Sequence, residues 1–261
     1  MKTKNKHFGR LLCCSFAAVV TTAAVYAAVT PAQRRFFAEY SKKASEGFCG
    51  NSRVADYDGI MERHGVTNEQ MKDLLPCIVN ECLDVDIPRN AQTNEMCATA
   101  LRMMFKYGDP DSFPAAERAY FDATGKFKAV SRLALFACAT NVGQVSGFAS
   151  RVWATPTGAS SSERIALIVA VGDWAKSQTN QVSNLKDALS ETFASYVACE
   201  TNAAVALRLD MLMNYLSQDY SSSALRTNLV WRFKDDRSAL RDPEYFRRLS
   251  DSMGVCTNPP E

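Results

Sequence analysis

Histidine sets the first limit on the chemistry this chain can perform. Beyond residue 30 the sequence holds one, His64, in the run Glu62-Arg63-His64-Gly65. A Ser-His-Asp or Cys-His nucleophile system would have to use it. Its place just before a glycine fits a helix C-terminus, where the helix dipole favours an imidazolium. A histidine-based metal site would need a second histidine. Cysteine offers no substitute, because no two cysteines stand at the C-x-x-C spacing of a redox motif or a zinc knuckle.

Carboxylates come in close pairs at Asp56 and Asp58, Asp84 and Asp86, Asp109 and Asp111, and Asp235 and Asp236. A calcium loop of the EF-hand type needs alternating acids, a glycine at position six and a glutamate at position twelve. Counting from Asp109, the twelfth residue is Tyr120, and Asp56-Tyr57-Asp58-Gly59 brings its glycine too early. These pairs lie beside turn residues and read as caps and solvated loops. A two-carboxylate hydrolase would draw on acids such as Glu117, Glu163 and Glu191, which begin or lie within helical stretches. Val171-Gly172-Asp173 lacks the G-K-[ST] that completes a phosphate loop, and no dinucleotide or haem-attachment fingerprint occurs. No cofactor is expected.

The elements that would carry any such residues begin at the N-terminus. Lys2, Lys4, Lys6 and Arg10 precede nineteen uncharged residues, Leu11 to Val29, followed by Thr30, Pro31 and the pair Arg34 and Arg35. As a helix this run would be roughly 29 Å long, close to the hydrocarbon thickness of a bilayer. Residues 1–30 therefore read as a single membrane-spanning anchor. The alternative is a cleaved signal peptide, with Val25-Tyr26-Ala27 as its cleavage site. Ala17, Thr21, Ala24 and Ala28 would share one helical face, where a second membrane helix can approach. The basic N-terminus would stay on the cytoplasmic or matrix side. The bulk of the chain would face the opposite compartment, in a mitochondrial inner membrane or at a bacterial inner membrane and periplasm.

Removing four N-terminal basic residues from the total of 30 leaves 26 against 28 acidic ones. A near-neutral domain without a basic stripe gives no footing for nucleic acid. In an oxidising compartment Cys49, Cys77, Cys82 and Cys97, clustered within fifty residues, are the disulfide candidates. Cys138 and Cys199 lie in apolar helical runs and read as core residues. None of the thirteen asparagines opens an N-x-[ST] sequon.

Periodicity predicts an all-α fold of eight or nine helices after the anchor. Residues 31–47 form a membrane-exit helix whose Phe36, Phe37 and Tyr40 share a face and could sit at the lipid interface. A globular domain spans 48–256, with a tail at 257–261. Within it a short helix covers Tyr57 to Arg63, and Thr67 with Gln70 forms a capping box for the next. Pro76 is expected to kink or break that helix before Cys77. Further helices follow over Thr93 to Tyr107, from Pro114 to near Gly125, and along Lys128 to Trp153. In the last of these Gly143 and Gly147 imply close contact with another helix. Thr155 to Ser162 is the one composition shift and a possible internal boundary. Ile165 to Val171 has the composition of a buried strand, but its helical neighbours make it a helix. Gln181 to Gln218 is one long helix or two broken near Thr201-Asn202, and helices over Ala224 to Lys234 and Pro243 to Met253 complete the fold.

These observations favour a non-catalytic, membrane-anchored accessory subunit whose partners are membrane lipid and other subunits of an energy-transducing or secretion complex. An exported soluble binding or inhibitor protein is the alternative, and an exported two-carboxylate hydrolase a second.

Overall fold

The computed structural model describes residues 29–48, 57–84, 89–107, 109–154, 159–178 and 182–233. Among them there are eleven α-helices, two single-turn 3-10 helices and no strand. The fold is all-α, with more helices than the eight or nine expected. No helix among the described residues is long and apolar enough to cross a membrane. The apolar run to residue 28, with its stripe of Ala17, Thr21, Ala24 and Ala28, lies outside them, as does the helix expected over Pro243 to Met253.

The chain opens with α1 (Pro31–Phe48) and α2 (Tyr57–Arg63). Phe36, Phe37 and Tyr40 are almost wholly buried, and Phe37 stacks on Tyr40 at 5.7 Å between ring centroids. They belong to the core, not to a lipid interface: their face of α1 is covered by α4. Gly65, at φ +63°, turns the chain out of α2 in the left-handed region that glycine favours.

Helix α3 (Asn68–Cys82) starts at the expected capping box, with Thr67 accepting from the Gln70 amide and Gln70 returning the bond. It continues through Pro76, so of the expected kink or break the break is absent. Proline removes one amide hydrogen bond, but here Pro76 is buried beside Leu74, Leu75, Ile78 and Val79. Each large apolar side chain buried in this way contributes about 1.5–3 kcal/mol, enough to hold the helix together. Helix α4 (Ala91–Tyr107) begins two residues before Thr93 because the Asn90 side chain caps it, accepting from the Thr93 amide at 2.8 Å.

A 3-10 turn (Pro110–Ser112) leads into α5 (Phe113–Tyr120). The stretch read as one long helix over Lys128 to Trp153 is two, α6 (Lys128–Cys138) and α7 (Val142–Trp153). Ala139 turns extended at ψ 125°, and Asn141 caps the new helix by accepting from the Gln144 amide. The asparagine, whose side chain mimics a backbone acceptor, wins over helix continuation. The glycines of α7 do not make the expected helix contact: a Cβ on Gly147 would meet nothing, and one on Gly143 would meet only the Asn141 cap.

Helix α8 (Ser161–Ser177) contains Ile165 to Val171, which is helical as expected. Ser160 and Glu163 form its capping box. The 181–218 stretch divides into α9 (Val182–Cys199) and α10 (Ala203–Leu216), where Asn202 accepts from the amides of Ala204 and Val205. A second 3-10 turn (Asp219–Ser222) precedes α11 (Ala224–Phe233). One continuous apolar core runs from Val29 to Phe233. Helices α3, α4, α5 and α6 build one side of it and α8, α9, α10 and α11 the other, joined where α6 and α7 pack on α8 and α9.

Candidate functional site

The residues singled out for chemistry are mostly committed to holding the fold. His64 Nε2 lies 2.9 Å from Glu39 Oε2, Arg63 donates to the other oxygen at 3.1 Å, and the imidazole packs on Phe36. His64 thus ties α2 to α1. The bonds from His64 and Arg63 lower the Glu39 carboxyl below its ordinary value. Asp109 caps the first 3-10 turn by accepting from the Asp111 amide at 2.7 Å. Glu117 pairs with Arg151, and Glu163 pairs with Lys128 while capping α8. Glu191 stands exposed on α9, and the pairs at Asp56 with Asp58 and Asp84 with Asp86, together with Asp235 and Asp236, fall wholly or partly outside the described residues. Among the described residues no cluster of three or more histidines, cysteines and acids is placed to hold a metal.

Cys77, Cys82 and Cys97 carry free thiols, and Cys49 lies outside the described residues. Cys77 and Cys82, five residues apart on α3, point to different helical faces. Cys82 and Cys97 are both buried where α3 meets α4. Burial pushes the Cys82 thiol up to about 12 and raises Cys97 as well. Cys138 is buried, whereas Cys199 is exposed at the end of α9 and is not a core residue.

The opening best suited to recognition was not foreseen. It is a groove of about 250 Å³ between α8 and α10. Gly172 faces Leu212 across it: a Cβ there would stand 3.6 Å from Leu212 Cδ1, an ordinary van der Waals contact, so the approach of the two helices does not depend on the glycine. Ile168 and Leu212 are buried beneath, while Val169 and Met211 on its edges remain 47% and 43% exposed. The polar surround is basic on balance. Lys176 and Arg208 line the groove against the single acid Asp173, and Lys186 stands 4.2 Å from the ring centroid of the lining Tyr215. Asp173 and Lys176 are 3.7 Å apart.

The backing of this groove is rigid for identifiable reasons. On the buried side of α10, Asp210 Oδ1 accepts from Arg226 Nε at 3.1 Å and its other oxygen from Asn214 at 3.0 Å. Arg226 also donates to the Ser221 carbonyl, which locks the second 3-10 turn. Glu200 accepts from Arg164 of α8 at 3.0 Å and from the amides of Thr201 and Asn202. Trp174 Nε1 donates to the Ala139 carbonyl at the break between α6 and α7. Arg232 of α11 donates to the Val197 and Ala198 carbonyls at the end of α9 and to the Glu200 carbonyl just past it. A braced pair of helices with apolar edges and a basic rim is suited to binding a side-chain ridge.

Compared with protein families, with curated proteins and with solved structures, the chain finds no significant match.

Proposed function

We propose that this protein is a non-catalytic accessory subunit of a membrane complex, held at the bilayer by Leu11 to Val29. In this reading its helical domain offers the α8–α10 groove to an acidic amphipathic helix of a neighbouring subunit. The observation that carries the proposal is the pairing of half-exposed Val169 and Met211 across one groove with Lys176 and Arg208 at its rim. An amphipathic helix in a groove is read through apolar anchors about one turn apart. Removing two such side chains from water is favourable by a few kcal/mol. A basic rim speeds the encounter and selects the sign of the partner.

Extraction from the source membrane in mild detergent tests the function. The expected result is a particle of several hundred kilodaltons, on the order of ten times the chain's 28.8 kDa. A photo-crosslinker at Met211 should join the chain to an acidic helix of one companion. Val169→Asp with Met211→Asp should release the chain from that particle while leaving its helical circular dichroism intact. Release without detergent at about 26 kDa, the size left after signal removal, would refute the anchor and favour an exported binding protein.

A further inference from the structure

The apolar run ends at Val29 and α1 starts at Pro31. Val29 is itself buried in the core, 7% exposed, so the end of the run is seated on the domain. One turn further along α1, Arg34 and Arg35 border an open cavity of about 310 Å³ lined by α1, α3 and α4. Ile78, Cys82 and Met96 line its apolar part; the first two are buried. Arg34 Nη2 meets Glu81 Oε1 at 2.5 Å, whereas Arg35 has no ion-pair partner among the described residues. Two arginines thus line the cavity with one carboxylate, leaving an uncompensated positive charge six residues, about 9 Å at a helical rise, past the end of the apolar run.

We propose that this cavity binds an anionic phospholipid, its phosphate against Arg35 and Arg34 and the upper part of one acyl chain along Ile78 and Met96. The inference rests on the membrane reading of Leu11 to Val29 and adds a specific lipid site to it. Guanidinium groups match phosphate oxygens with paired, directional donors, better than an ammonium does. A basic pocket beside a membrane segment gains further from the negative surface potential of anionic lipid. The cavity is at the small end of ligand sites, so the remainder of the lipid stays in the bilayer.

The full chain, reconstituted into nanodiscs of phosphatidylcholine mixed with phosphatidylglycerol and then moved into detergent, can be weighed by native mass spectrometry. One phosphatidylglycerol should be retained in preference to phosphatidylcholine. Arg35→Gln, which leaves the Arg34–Glu81 pair intact, should reduce that preference about fivefold, the factor that one basic side chain supplies near an anionic surface. Met96→Trp, which fills the apolar part, should abolish retention of the lipid, while Arg132→Gln, outside the cavity lining, should change nothing. Failure of the chain to co-elute with nanodiscs would refute the membrane reading itself. Co-elution with equal retention of both lipids, or with a preference that survives Arg35→Gln and Met96→Trp, would overturn the lipid site alone.

Discussion

The side chains of Asp210 and Arg226 are 1% and 8% exposed, so each charge depends on the other. Asp210→Ala would leave a buried guanidinium without its carboxylate and cost about 3–5 kcal/mol in urea unfolding. Replacing both together, Asp210→Leu with Arg226→Met, should recover most of that loss, because the desolvation of both ions disappears with them. Thiols supply a second residue-level test. Burial raises Cys82 to about 12 and Cys138 to about 11, from an ordinary 9.0. Their contribution to stability is therefore complete below pH 9.0 and is lost as pH rises through those values, since the unfolded thiols ionise first. The free energy of unfolding should fall along that alkaline limb, and maleimide at neutral pH should modify exposed Cys199 well before Cys82, Cys97 or Cys138. Of these features the sequence showed the burial of Cys138 and misread Cys199 as core; the ion pairs were not visible in it. Asp210 and Arg226 are 16 residues apart and Glu200 and Arg164 are 36 apart. Only the folded chain says which faces meet.

At the scale of elements, local chemistry was more legible. The Thr67–Gln70 box, the stop at Gly65 and the helical state of Ile165 to Val171 are all as the residues predict, because each depends on neighbours within a turn. Ser160 with Glu163 carries the same capping signature; it was obscured by the composition shift around it. The misreadings came from partners further away. Pro76 keeps its helix because α3 buries the proline among apolar neighbours. Gly143 and Gly147 were read as a contact face, yet the space beside Gly147 is open. Gly147→Ala should accordingly stabilise the protein by about 1 kcal/mol through helix propensity alone. Gly65→Ala, forced into a left-handed backbone, should cost about 1–2 kcal/mol. Thermal unfolding of the two variants, shifted in opposite directions, would check both.

For the molecule as a whole, class and helical content followed from periodicity, whereas the groove did not. A groove is a relation between α8 and α10, whose lining residues lie some forty positions apart in sequence. Val169 and Met211 looked like any other members of apolar helical runs; their exposure is set by how those helices cross. The ordering of ties is also a whole-molecule property. Arg232 fastens α11 to the end of α9, Asp210 fastens it to α10, and Glu200 fastens α9 to α8. Four helices, two of them the walls of the groove, are thereby linked by three polar clusters, of which those at Asp210 and Glu200 are buried.

That exposure has a chemical price. Met211 is 43% exposed, while Met61, Met71, Met104 and Met213 are each 5% exposed or less. Two thioethers also accept from tyrosines, Met103 from Tyr40 at 2.9 Å and Met61 from Tyr107 at 3.6 Å. Peroxide converts a methionine thioether to a polar sulfoxide, and access governs the order. The edge of the groove would be oxidised before the interior methionines, replacing an apolar anchor by a dipole. Oxidative damage would then weaken the proposed helix contact while the fold is still intact, and reductive repair of one side chain would restore it.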